Sequence, residues 1–562
     1  MTVSSEQGPK ADAGALRLRL RSWAPDTLGV LVVLTVGIAV LVPALVHGSS
    51  YGPFDALSRY GLSANSRVVV HNNNTLDQID ELIPWATLAW TQVHHGHLPL
   101  WNQYSALGLP LAFNWQSATF SVPALLGYLT PVRLEYTVQV AATLGIAGTG
   151  AYLLGRLLRM SVLAAAFVGM VFELSGPMMG WLGWPVTAVM AWTGWVFAAS
   201  LLVLRGKRRT ASVTFLALVL AAAVYAGQLS ALVVLILALV VFVAALLVLR
   251  APWLRGEGPI LRPIGDLALA ALAGFALAAP LALPALQLTL RSVRLGAVKP
   301  DLPVHDLIHF AFATFDGAAT SAMYAPGSGA YYPAAACYVG VIVLVLAVVG
   351  VGVRWRRREV IALGAVLVAA AATVFFPQLV SVIDRIHPLG TVEWSRSLAP
   401  MALALAVIAG LGIDALIRSS ATRSVRYCAG GGFLIAGFWI LYLWFEGRGG
   451  LSGSLASART DSFFWPVIDT ALGLVVVVGA LVLATRDGFS SRQRSARSPR
   501  PYGLWAALAL FVGEMAFLVA VGAPPLPSSP QFFEPTRQIQ ALQEAVGSSV
   551  VGFGTGTCAN LY

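Results

Sequence analysis

The feature that leaves this chain fewest choices is a recurrence: runs of about 20 apolar residues follow one another almost from end to end. Thirteen helical membrane spans are expected, near 27–47, 134–153, 161–181, 184–204, 211–227, 229–249, 265–287, 334–353, 359–377, 398–417, 427–445, 465–485 and 503–523. The division of 211–249 rests on one polar break, YAGQLS at 225–230. Only 11% of the residues are charged, against about 25% in soluble domains. The expected fold class is therefore an all-α polytopic membrane protein with a large first outer loop. A cytoplasmic tail (1–26) precedes a membrane domain (27–523), and the start of an outer C-terminal region follows (524–562). That last segment leaves the membrane through prolines and stops as if an outer domain had only begun.

Basic residues set the orientation. With the N-terminus in the cytoplasm, the inner segments hold 25 of the 36 Lys and Arg, including RGKRR at 205–209 and RWRRR at 354–358. The net charge of +11 thus reads as positive-inside topology, and nucleic acid is not an expected partner. The polar N-terminus ends in a basic run before a long span with no small-residue cleavage site, so it reads as a retained signal anchor. Cys337, Cys428 and Cys558 are scattered, which argues against a metal knuckle or disulfide framework. No glycine-rich phosphate loop or nucleotide fingerprint lies in the inner loops. All eight histidines and most acids fall outside, so chemistry is expected there. The long outer segments are 48–133, 288–333 and 378–397.

The first of these carries the densest set of reactive side chains, in NNNTLDQIDELIPWATLAWTQVHHGHLPLWNQYSALGLPLAFNWQSATFSVP (72–123). Asp77, Asp80 and Glu81 stand just before or within an amphipathic helix whose apolar positions are Ile79, Leu82, Ile83, Ala86, Leu88 and Ala89. Carboxylates, imidazoles, amides and indoles together suit sugar binding and proton transfer.

At these residues the chain resembles a known family. Asp77, Pro84, Gly96, the run Leu98-Pro99-Leu100-Trp101-Asn102, Tyr104, Gly108, Pro110, Leu111, Gln116 and Ser117 match the first outer loop of YfhO-type bacterial membrane proteins. Glu81 stands where that family usually has Gln, and Gln103 where it usually has Pro. The stretches EWSRSLAPMALALAVIAGLGIDAL and PPLPSSPQFFEPTRQIQAL resemble two further parts of it. The family is similar to C-type glycosyltransferases, polytopic enzymes that take a sugar from a polyprenyl-phosphate carrier outside the membrane. The resemblance implies a C-type fold, a polyprenyl-phosphate-linked sugar donor, and a cell-envelope glycan or glycolipid acceptor, with membrane lipid as surroundings. It also implies a catalytic carboxylate in the first outer loop.

Glycosyl transfer needs a base for the acceptor hydroxyl and cations or dipoles around the leaving phosphate. Asp77 is the candidate base, with helix capping as its plainer role; Asp80 and Glu81 are candidate assistants. Asp77 must then stand within reach of a groove that admits a prenyl chain. For the donor phosphate, Arg396, Arg291 and Arg294 are expected, against pairing of Arg396 with Glu393 and headgroup contact for the other two. Glu173, an acid inside a span just before Gly176 and Pro177, is expected to line an outer cavity. Trp101, Asn102 and Gln116 are candidate sugar contacts, although the tryptophans also read as an interfacial belt. No nucleotide or organic cofactor is required. A divalent ion is conceivable at His94, His95 and His97, or at His305 and His309, four residues apart. Two other classes compete: a transporter or flippase of lipid-linked glycans, for which no internal repeat is visible, and a non-catalytic envelope-assembly scaffold.

Overall fold

The computed structural model describes residues 10–45, 50–59, 77–105, 108–250, 261–291, 302, 304–311, 337–386, 389–419, 430–438, 441, 511–514 and 537–546; the side chains of 10–23, 43, 44, 59, 305, 418, 419, 538, 539, 542, 543 and 546 lie outside this description. The principal helices are α1 (Lys10–Ala39), α2 (Ile83–His94), α3 (Val132–Leu157), α4 (Val162–Glu173), α5 (Thr193–Arg205), α6 (Arg209–Tyr225), α7 (Leu229–Val248), α8 (Leu261–Leu290), α9 (Val341–Arg354), α10 (Arg358–Phe375) and α11 (Leu398–Ser419). Among the described residues, six helical stretches are long and apolar enough to cross a membrane: α3, Pro185–Arg205, α7, α8, α10 and Trp394–Ile417. Shorter apolar helices stand among them at Ala24–Ala39, α4, α6 and α9. The chain is a multi-pass helical membrane protein. The expected span 465–485 lies outside the described residues, as do part of 427–445 and most of 503–523.

Burial separates the helices into centre and periphery. The apolar window of Trp394–Ile417 is 89% buried, that of α8 only 28%. On α8, Leu269, Leu272 and Phe275 face outward, as lipid-facing residues do. The centre is built on close backbone approach. A Cβ on Gly412 would meet the Leu346 carbonyl, and one on Gly350 the Ile408 carbonyl, so α9 and α11 touch main chain to main chain. Asp414, from the same GLGID run, accepts a 2.8 Å hydrogen bond from the Ser161 N–H at the start of α4. The resemblance in this stretch therefore falls on residues that pack and cap.

Several expected spans are interrupted, each for a local reason. The 161–181 run stops at Glu173 and turns through Leu174 and Ser175; the Gly176 N–H then donates to Tyr338 O at 2.6 Å. Span 334–353 becomes helical only at Val341 because Gly340 takes φ +95°, and the Ile342 N–H donates to the Glu514 carboxylate. Between α6 and α7 the chain turns at Ala226, Gly227 and Gln228, inside the polar break; Gly227 at φ +96° lies against the Trp115 carbonyl.

Candidate functional site

Between α1 and α3 the described chain returns to the bundle end three times. A π turn, Gln78–Leu82, leads directly into α2. It buries Gln78, Ile79 and Leu82, and α2 buries Ile83, Ala86 and Ala89. The apolar stripe read from the sequence is thus the docking face. Gln78 Nε2 donates to the Leu182 carbonyl at 2.9 Å, and Tyr51 Oη donates to the same oxygen at 3.0 Å. Burial pushes the Tyr51 phenol above its ordinary range, so it remains a neutral donor. Tyr136 Oη donates to the next carbonyl, Gly183 O, at 2.6 Å. Gly183 has φ +91°, and a Cβ there would lie 2.9 Å from Tyr136 Oη and 3.0 Å from Gln78 Nε2. The turn 181–184 is the peg on which the loop hangs.

A cleft opens beside this turn. The α3 residues Tyr136, Gln139, Val140 and Thr143 form one helix face of it. Leu82 and Ala86 form a second wall, and Gly183, Trp184, Pro185 and Ala188 a third. The fourth is the short turn Gln116, Ser117 and Ala118 with Ser121. That turn is tied internally: Asn114 Oδ1 accepts from the Gln116 N–H at 3.1 Å, and Ser117 Oγ donates to Leu111 O at 2.7 Å. Trp115 Nε1 fastens it to Thr289 Oγ1 of α8 at 2.9 Å. Ala118, on the cleft wall, holds φ +47°, a left-handed conformation that costs a non-glycine residue about 1 kcal/mol or more. The cleft encloses ≈ 40 Å³, room for a few waters, so a sugar ring can engage it only across its mouth or after the rim parts.

Arg396 is buried on the same side of the bundle. Its guanidinium carbon lies 4.0 Å from the centroid of the Trp181 ring, and it pairs with Glu393. Trp181 in turn meets Trp184 edge to face at 5.7 Å, and Trp184 is a cleft wall. Cation, two indoles and cleft form one continuous chain of contacts. Glu135, buried, receives a hydrogen bond from Gln139 of the cleft wall.

The expected site residues divide. Gln116 lines the cleft and Arg396 adjoins its wall. Asp77 and Glu81 are exposed and Asp80 is partly so, on the side of the π turn away from Gln78 and Leu82. Asp77 precedes the turn with helical backbone and makes no side-chain cap bond, so the capping role is not used. It is exposed, and neither it nor Gln78 lines the cleft, whose wall on this segment begins at Leu82. Trp101 and Asn102 belong to a two-residue hairpin, β1 (Trp101–Asn102) with β2 (Leu109–Pro110); the Trp101 ring covers Gly108, and Asn102 Oδ1 accepts from the Tyr104 N–H at 2.9 Å. Neither lines the cleft. Glu173 is wholly buried against Gly37 and Gly148, between helices and off the cleft, because glycines on both neighbours leave a slot for it. Arg291 is exposed just after α8, while Arg294 lies outside the described residues.

The histidines do not converge. His94 and His95 each place Nδ1 on the carbonyl four residues back, Trp90 O at 2.9 Å and Thr91 O at 2.8 Å, at the exposed end of α2. His97 is exposed beyond it. Val304–Phe310 is a 3₁₀ helix, which superposes residues three apart. It brings buried His309 towards Asp306, Nε2 to Oδ1 3.9 Å, where an α-helix would have favoured His305. Among the described residues no three His, Cys, Asp or Glu side chains group as metal ligands.

Gln78, Tyr51, Tyr136, Gln139 and Glu135 escaped the sequence reading. A signal existed for two of them: Tyr136 and Gln139, with Thr143, put polar groups on one face of an apolar span.

No protein-family model matches the chain, and no curated protein does. Among solved structures, the fold is similar to the crystal structure of ArnT from Cupriavidus metallidurans bound to undecaprenyl phosphate. The TM-score is 0.46 at 15% identity, over 89% of this chain and 78% of that one.

Proposed function

We propose that the protein is a membrane glycosyltransferase that moves a sugar from a polyprenyl-phosphate carrier to an envelope glycan or glycolipid. In this reading the N-terminus is cytoplasmic, the C-terminus and the cleft are extracytoplasmic, and the full complement of spans is thirteen. The observation that carries it is the docking of the resembling loop: Gln116 and Ser117 form a cleft wall next to indoles and a buried arginine. Amides and hydroxyls on two walls suit sugar hydroxyls, with Trp184 beside them. Arg396 supplies positive charge near the point where the carrier phosphate departs.

Asp77, exposed five residues before the cleft-lining Leu82, is assigned as the base for the acceptor hydroxyl. Asp80 and Glu81 set the acidic field around it. Glu135, buried beside Gln139, is the rival carboxylate at this end of the bundle. Purified protein in lipid nanodiscs, given a panel of labelled polyprenyl-phosphate sugars and an envelope-lipid extract, tests both. Asp77→Asn is expected to lower transfer about 100-fold or more, and Glu135→Gln to lower it less. The reverse order would reassign the base to Glu135. Undiminished transfer in both variants would remove glycosyl transfer from this cleft, and carrier movement across vesicles with no new covalent product would favour a transporter instead.

A further inference from the structure

A second cavity, far larger than the outer cleft, lies among the described residues. It encloses ≈ 1070 Å³ and lies at the far end of the same helices. α3 lines the cleft with residues 136–143 and this cavity with Leu157 and Leu158; Pro185–Arg205 does the same with 184–188 and then Leu202 and Arg205. At 1.5 Å per residue the separation along α3 is about 20–30 Å, close to a bilayer's hydrocarbon thickness of about 30 Å. The two sites therefore face opposite leaflets. The basic loops RGKRR and RWRRR, which fix the positive-inside topology, both open into the cavity.

Its walls are of two kinds. Leu157, Leu202 and Phe215 give an apolar side, and seven cations against one acid, Glu359, give a charged one. Concentrating like charge in a concave space is unfavourable unless an anion fills it. Arg358 carries the clearest sign of a missing partner: its Nη1 is buried and makes no hydrogen bond among the described residues. Arg208, at φ +136°, also lines the cavity in a conformation that ordinarily belongs to glycine. Arg358 also opens α10, whose first amides add to the positive potential.

We propose that this cavity binds a phosphate ester of an amphiphile from the inner leaflet, its phosphate among Arg208, Arg357 and Arg358 and its chain against Leu202 and Phe215. The site is separate from the outer cleft and does not depend on what is transferred there. A phosphate of this class comes either from a lipid headgroup or from a soluble molecule, and one experiment distinguishes them.

The full-length protein is purified and offered phosphatidylglycerol or phosphatidylcholine in detergent, with bound lipid counted by native mass spectrometry. In parallel, its thermal midpoint is followed with and without inorganic phosphate. Phosphatidylglycerol should be preferred, and Arg208→Gln with Arg358→Gln should weaken it about fivefold per arginine removed. Arg250→Gln with Arg262→Gln, the same charge loss away from the cavity, should change nothing. If the first pair does not fold, the exposed pair Lys207→Gln and Arg356→Gln replaces it. A phosphatidylglycerol effect untouched by inorganic phosphate assigns a lipid. Stabilisation by inorganic phosphate alone, lost in the cavity pair, overturns the amphiphile and assigns a soluble phosphate ester instead. The proposal is overturned if neither probe distinguishes wild type from the cavity pair, or if the control pair loses as much.

Discussion

If the loop hangs from the 181–184 turn, Gly183→Ala should release it. The added Cβ would sit 2.9 Å from Tyr136 Oη and 3.0 Å from Gln78 Nε2. Both are the ends of flexible side chains, so they can retreat, but only by surrendering the carbonyls of Gly183 and Leu182. Each lost bond costs about 1 kcal/mol, and alanine at φ +91° adds roughly 1–2 kcal/mol of backbone strain. The docked loop should be destabilised by about 3–4 kcal/mol. Amide hydrogen exchange reads this directly, because opening of the docked segment governs exchange along Gln78–His94. At a factor of ten per 1.4 kcal/mol, those amides should exchange on the order of 100- to 700-fold faster, while those of α9 and α11 keep their rates. Unchanged exchange in 78–94 would show that the turn does not hold the loop, and the account of the cleft would fail with it.

Three further outcomes follow from contacts elsewhere. Arg396→Ala should lower kcat/KM for the donor about 10-fold or more, with kcat falling as well as KM rising, and Arg396→Lys should recover only part of this because an ammonium lacks the planar stack on Trp181; wild-type kinetics in both would separate Arg396 from the donor. Gly148→Ala drives a Cβ into Glu173 and Val33 and should cost about 1–3 kcal/mol. Combining it with Glu173→Ala should cost less than the two singles together, and simple additivity in thermal unfolding would refute that contact. Asp414→Ala leaves the Ser161 N–H without its acceptor and should lower stability by about 1 kcal/mol; an unchanged midpoint would deny the cap its part.

Which features were legible in the sequence follows from how each is encoded. Spans are written in mean hydropathy, a property of many residues at once, so the helices from α3 to α11 fall where the apolar runs do. Their interruptions depend on one or two residues and on a partner far away in the chain. The break at Ser175 needs Tyr338, and the late start of α9 needs Glu514. No local pattern contains those partners. The basic loops declared a membrane side, but that they close over a common cavity is a fact of packing between α5, α6 and α10.

The loop offers the sharper lesson, because the relevant pattern was present and the chemistry drew the eye away from it. With about 100° between successive helical residues, Asp77 and Glu81 lie opposite Ile79, and Gln78 shares a face with Leu82. Once Ile79, Leu82 and Ile83 are read as the buried stripe, the carboxylates are committed to the outside and the amide to the interior. The structure agrees: Gln78 is buried on the Leu182 carbonyl while Asp77 and Glu81 are exposed. A charge on the docking face would have had to be desolvated at a cost of several kcal/mol, whereas an amide satisfies itself on a turn carbonyl. Anchoring the loop and keeping carboxylates in water therefore fall to adjacent residues on opposite faces of one turn: Gln78 is buried on a carbonyl while Asp77 stays exposed.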